Sequence, residues 1–311
     1  MAEIDDITDE CWEANANKII KTLLLALDID KDEAEEALEN EEEYLDLVYL
    51  LPTKYHESEQ NEDIKNRWHV ERDSSVGWEV VSPILVGEEG VMQVIKVCNK
   101  LTEFLEEHEF LKINYRCGLH ITLATWLDSE ERKESFINHI KALEPGLFSL
   151  VSPSRLFEFD PEDGTYDLTN HNEYCIPISG KSNEEIEDDR YLSVNLSKMG
   201  IDDEDKPHLV EVRMHNGTTE SRKIIPWISL WMHIINSAAY HDCDEVEIGD
   251  IFTDTEPDEE DIFNTLGNLD IIIPETLHDF LWNRRQEPAE RWKDVIPEKV
   301  EEWEDDGWYE D

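Results

Sequence analysis

The chain has 311 residues, 39% of them apolar and ten of them Trp, enough for one large domain or two ordinary ones with a real core. It carries 77 acidic against 27 basic residues, a net charge of −50. That charge would repel phosphate backbones and anionic bilayers, so neither nucleic acid nor membrane is expected as a general partner. The acids run along the whole chain and thicken at Asp32–Glu43, Glu184–Asp189, Asp254–Asp261 and Glu301–Asp311. Such a spread fits a halophilic, salt-adapted surface better than a mimic of an acidic polymer, because salt screens the self-repulsion. Five Cys (Cys11, Cys98, Cys117, Cys175 and Cys243) form no CxxC pair. An odd number, three of them inside apolar patterns, reads as free thiols in a reducing compartment. The N-terminus is acidic where a signal peptide would be basic, and no apolar run reaches bilayer length. A cytoplasmic protein is the expectation.

Residues 1–66 read as an acidic helical extension. Ile19, Ile20, Leu23, Leu24 and Leu27 form a stripe at helical spacing. A second helix is expected over Glu33–Leu51, with Leu38, Tyr44, Leu47 and Val48 inward and Pro52 ending it. The stretch His56–Lys65 reads as a polar linker. Short strands are predicted at Trp68–Val70 and Gly77–Val81 around a turn at Asp73–Ser75. Val91, Val94, Ile95, Cys98, Leu101 and Leu105 then repeat as a helix.

The next strand, within Asn114–Leu123, puts Leu119, Ile121 and Leu123 on one side and His120 and Thr122 on the other. A helix follows over Ser129–Leu143, with Ser129 as N-cap and Pro145-Gly146 as terminator. Residues 149–175 read as irregular, and Arg190–Leu196 alternates as a strand. After an acidic loop at Gly200–Pro207, the strand Leu209–Gly217 sends Val210 and Val212 one way and Glu211 and Arg213 the other. Ile224 to Ala238 is the strongest helical pattern, with Trp227 and Trp231 as core. An acidic loop at Asp242–Asp261, a helix at Pro274–Arg284 and a tail bearing Trp292, Trp303 and Trp308 complete the chain. The predicted organisation is an extension at 1–66, an α+β domain at 67–245 and an acidic helical region at 246–311 packed back on it. The fold class is α+β, with a curved, mostly antiparallel sheet and helices on one side.

Five segments occur in a set order: Trp68-His-Val-Glu-Arg-Asp-Ser-Ser-Val76, Trp78-Glu-Val-Val-Ser-Pro-Ile-Leu85, Cys117-Gly-Leu-His-Ile-Thr122, Arg190-Tyr-Leu-Ser-Val-Asn-Leu196 and Val210-Glu-Val-Arg-Met-His-Asn-Gly-Thr218. Ser152-Pro-Ser-Arg155 precedes Tyr174-Cys175 between them. Over residues 68–240 this resembles the amidoligases of the glutamine synthetase-like carboxylate–amine ligase superfamily. The resemblance implies a glutamine synthetase-like catalytic fold whose concave sheet face holds ATP and Mg²⁺. It implies that ATP activates a carboxylate as an acyl phosphate and that an amine then attacks to give an amide. No motif names the two substrates; a peptide or protein is within the range of the family reading.

Carried over by position, the resemblance makes Glu79, His120 and Glu211 the metal ligands. Arg213 would hold the phosphate or the acyl-phosphate transition state, acting with Glu211 and His120 as the catalytic set. Arg155, Arg190 and Asn195 would surround nucleotide and substrate, and Asp73 lies in the turn that resembles the family's Asp-Gly-Ser, with Ser74 in place of Gly. The chain departs from the pattern twice. Thr122 stands where the family has a second His, and residues 1–67 contain no Gly-x-Glu-x-Glu strand. Each residue also has a plainer reading: Glu79 as a solvated strand residue, His120 as a core histidine, Glu211–Arg213 as an ion-pair ladder. Two functions therefore stand side by side: the ligase, and an inactive amidoligase-like binding or assembly protein that uses its acidic surface or helical arm.

Overall fold

The computed structural model describes residues 9–40, 42–55, 57, 60–73, 75–108, 111–199, 208–241 and 261–293. Ser74, the acidic loops at 200–207 and 242–260 with Cys243, and the tail at 294–311 with Trp303 and Trp308 lie outside the described residues, as do the side chains of Cys11 and Trp292. The chain divides into two units, Met1–Ile113 with Thr219–Ile225, and Asn114–Thr218 with Pro226–Asp311. Both mix helices with small, mostly antiparallel sheets. No helix among the described residues is long and apolar enough to cross a membrane.

In the first unit the stripe Ile20, Leu23 and Leu24 is fully buried because α1 (Asp9–Ala26) packs along α4 (Gly87–Glu107). Both helices share a core with Val48, Trp68 and Val70. The boundary expected at 66/67 therefore falls inside one core. Helix α2 (Lys31–Glu39) starts at Asp30, whose carboxylate accepts the Asp32 and Glu33 amides. It stops at Asn40, short of the expected Leu51. A tight hairpin replaces the rest: β1 (Tyr44–Leu45) pairs with β2 (Val48–Tyr49) around Asp46, which sits at φ 46°. Aspartate tolerates that left-handed conformation, and the hairpin still buries Val48. The expected linker contains a short helix, α3 (Glu62–Lys65), capped by Asn61. Strand β3 (Thr53–Lys54) runs parallel to β4 (His69–Asp73), and β5 (Gly77–Val81) pairs antiparallel with β4. The turn forms where the sequence predicts it: the Asp73 carboxylate accepts the amide and hydroxyl of Ser75, both at 2.6 Å.

The second unit is built on β6 (Gly118–Ala124), β9 (Val194–Asn195) and β10 (Leu209–Asn216), in the order β6-β10-β9, all antiparallel. Its apolar face, with Ile121, Val194, Val210 and Val212, joins a core formed with α5 (Glu130–Ser149) and α7 (Ser221–Tyr240). Trp227 and Trp231 are in that core, edge to face at 6.0 Å. Helix α5 runs through Pro145-Gly146, which the sequence predicts as its end. Burial overrides the local signal: the helix is interior from Ser135 to Ile140 and from Leu143 to Ser149. Gly146 is needed for contact, since a Cβ there would lie 2.7 Å from Ile262 of α8 (Asp261–Asn268). The stretch read as irregular holds a hairpin, β7 (Phe157–Asp160) and β8 (Thr165–His171), closed by Gly164 at φ 72°. Between β8 and β9 lies the short α6 (Asn183–Asp188). Helices α9 (Glu275–Arg284) and α10 (Gln286–Lys293) follow α8, and Ile262, Leu266, Leu277 and Leu281 fill the same core. In place of one curved sheet, the described strands make four small ones, because β6 takes β10 as its partner and β5 stays with β4.

Candidate functional site

The two strands singled out in the sequence do pair. Glu211 faces Thr122 on β6 and Asn195 on β9, so it sits at the centre of the polar face. The β6–β10 register shifts by one residue between Val212 and His215. This bulge lies opposite His120 and turns the rest of β10 over. His215 now faces Leu119 on the core side, where its ring meets the edge of Trp227 at 5.2 Å. Arg213 remains on the polar side.

There the Glu211 carboxylate gathers its neighbours. Arg213 Nη1 donates to Oε1 at 2.8 Å, and Asn195 Nδ2 donates to Oε2 at 2.9 Å. Lys198 Nζ lies 3.6 Å from Oε2 and His120 Nδ1 3.8 Å from Oε1. Glu211 and Arg213 form the floor, with side chains 9% and 10% exposed. Lys198 at 43% and His120 at 32% form the open rim. Burial pushes the Glu211 carboxyl upward, but the charges of Arg213, Lys198 and His120 and the bond from Arg213 outweigh it, so the group titrates below its usual 4.5.

Supports come from outside the sheet. Arg213 Nε donates to the Tyr174 carbonyl at 3.3 Å. Arg155 is buried, and its Nη2 donates to the Arg213 carbonyl at 2.6 Å, at the bulge. Arg190 is exposed on the surface and lies over the Tyr191 ring at 4.9 Å. Of the expected nucleotide contacts, then, Asn195 and Arg155 lie within the site's walls and Arg190 is open.

Of the expected metal set, His120 and Glu211 are neighbours in the second unit. Glu79 belongs to the first unit, where it faces Glu71 across β4–β5. Among the described residues, no three His, Cys, Asp or Glu side chains are placed to hold a metal ion. Mg²⁺ takes oxygen donors in octahedral array. Here both Glu211 oxygens are engaged, and the other groups are nitrogen donors. This donor set fits an oxyanion better than a resident cation.

Two residues that the sequence reading missed hold the site together. Lys198 follows β9 by three residues, and in so acidic a chain any lysine beside a motif is a usable signal. Glu144 is invisible in the sequence because its partners are remote. Fully buried, it accepts the amides of Ile178 and Ser179 and the hydroxyls of Ser179 and Ser193. It thereby ties α5 to the segment before Asn195. Burial raises its titration point despite those four bonds.

No protein family, curated protein or solved structure matches the chain.

Proposed function

We propose that the chain is an ATP-dependent carboxylate–amine ligase of the amidoligase type, with a glutamine synthetase-like catalytic arrangement. One observation carries this reading: the His120 and Glu211–Arg213 motifs, read separately in the sequence, meet on one sheet face beside the bulge. The reaction this implies has two steps. A carboxylate oxygen attacks the γ-phosphorus of ATP and ADP leaves; the amine then attacks the acyl carbon of the acyl phosphate and phosphate leaves. Phosphoryl transfer of this kind asks a protein mainly for positioning and positive charge. Arg213 is held by Glu211 and the Tyr174 carbonyl, so it supplies fixed charge. Lys198 and His120, part-exposed at the rim, present their nitrogens toward solvent, where phosphate oxygens would approach. Mg²⁺ enters as part of the Mg·ATP substrate, held chiefly by phosphates and water.

The engagement of both Glu211 oxygens favours a second reading, an anion-binding protein without catalysis. Calorimetric titration with Mg·ATP, at low and at molar salt, tests the first. Binding that weakens in Lys198→Ala and His120→Ala supports the nucleotide site and justifies a screen of carboxylates and amines for ADP release. A folded protein that binds no Mg·ATP at either salt sinks the ligase. Binding with no ADP release from any pair leaves the second reading.

A further inference from the structure

The bulge beside Arg213 is backed on the core side by a histidine. His215 is 1% exposed and meets the edge of Trp227. The partners of its two ring nitrogens fix where its proton lies. Nδ1 is 2.6 Å from the Asn216 carbonyl oxygen, which can only accept, so Nδ1 carries hydrogen. Nε2 is 3.1 Å from Nη2 of Arg284, which can only donate, so Nε2 is the bare acceptor. The fold therefore takes this ring in its neutral form and in one tautomer.

That arrangement has a sign. His69, also 1% exposed, turns its Nε2 to the Glu71 carboxylate at 3.3 Å, a partner that can accept from a second N–H. His215 turns its Nε2 to a guanidinium. A second proton there would remove the hydrogen bond and set one cation against another. The other charged groups at the bulge have the same sign. Arg155, from the turn at Pro153–Arg155, donates to the Arg213 carbonyl at 2.6 Å, and Arg213 lies on the strand itself. Strand β6 brings Leu119 opposite the ring and α7 brings Trp227, neither of them charged. Arg284 is the last residue of α9, a helix that buries Leu277 and Leu281 in the same core. Its bond to His215 ties the end of that helix to a strand 69 residues earlier in the chain.

We infer that His215 is a positioning residue for Arg213: as a neutral imidazole it latches α9 to the bulge, and as an imidazolium it lets go. One proton then decides whether the strand that carries Glu211 and Arg213 is backed by α9. The latch stands without the ligase reading; its effect on Mg·ATP rests on that reading.

The test uses the full chain. Hydrogen exchange of the α9 amides, corrected for the intrinsic effect of pH, is followed from about pH 7.5 to about pH 5.5. Protection falls at least about tenfold in the natural sequence, the loss of one charge-assisted hydrogen bond. In His215→Gln, whose amide oxygen can still accept from Arg284 but takes up no proton, protection holds across the range. The ring ¹⁵N shifts of His215 in the natural chain need no variant, and at neutral pH they show hydrogen on Nδ1 and none on Nε2. Hydrogen on Nε2 at neutral pH overturns the latch. So does α9 protection that ignores pH, or that falls equally in His215→Gln. Mg·ATP affinity reads the link to Arg213, weakening more in acid for the natural chain than for His215→Gln. A latch that opens in a chain binding no Mg·ATP keeps the latch and removes the ligase. Mg·ATP affinity with the same pH dependence in both proteins keeps the ligase and removes the positioning role.

Discussion

Each unit presents one polar face on a short antiparallel sheet, and the two faces set their carboxylates differently. On β4–β5, Glu71 stands directly across from Glu79, with His69 Nε2 3.3 Å from Glu71 Oε1. On β6–β10–β9, a single Glu211 is ringed by Arg213, Lys198, His120 and Asn195. Both strand pairs show the same alternation in sequence. What distinguishes them is which residue the partner strand brings opposite, and that is a property of register. On the second face an arginine, a lysine and a histidine gather at one carboxylate.

Removing the floor of the second face has the largest effect. Arg213→Ala takes the nearest counter-charge from a buried carboxylate, and the unfolding free energy in urea falls by about 3 kcal/mol. Adding Glu211→Gln to that variant restores part of the loss; no recovery would mean that Arg213 acts through packing alone. Next comes Glu144→Leu, which strands two amides and two hydroxyls and costs about 2–4 kcal/mol by the same measurement. Its loss also loosens the segment carrying Asn195, so phosphate binding weakens with it.

The two buried glutamates of the second unit should tilt the pH profile in opposite directions. Glu211 titrates below its unfolded value of 4.5, so its contribution is present above that pH and is lost as pH falls through the lower, folded value. Glu144 titrates above 4.5, so its contribution is fully present below that pH and is lost as pH rises through the higher, folded value. Urea unfolding from pH 3 to 7 of the natural chain, Glu211→Gln and Glu144→Gln separates them. Parallel profiles for the two variants would refute the assignment.

The smallest effects come from the rim and from the first unit. Lys198→Ala changes stability by less than about 1 kcal/mol, as half-exposed pairs do, yet weakens phosphate binding. Glu79→Gln removes one of two facing acids and shifts stability by no more than about 0.5 kcal/mol. A large loss there would show that the first face holds a charge of its own to be balanced.

The strands that carry the site were legible because alternation needs only local sequence. Val210, Val212, Glu211 and Arg213 divide between the two faces as the period requires. The bulge was not legible, because nothing local marks the extra residue that turns His215 into the core beside Trp227. The helix read over Glu33–Leu51 failed for a similar reason. Leu38, Tyr44, Leu47 and Val48 fit helical spacing, but a left-handed Asp46 converts the second half into a hairpin. Pro145-Gly146 misled in the other direction, because long-range burial of α5 outweighed a local stop signal. Glu144 was unreadable because its meaning lies in partners distant in the chain.

The depth of the Glu211–Arg213 pair matters for a chain with this surface. In molar salt the screening length is about 3 Å, so half-exposed pairs such as Lys21 with Glu35 are reduced to little. Arg213 and Glu211 touch at 2.8 Å with side chains only 10% and 9% exposed. Brine can rewrite the outer field of this molecule while the field at the floor of the sheet stays what the covalent sequence made it.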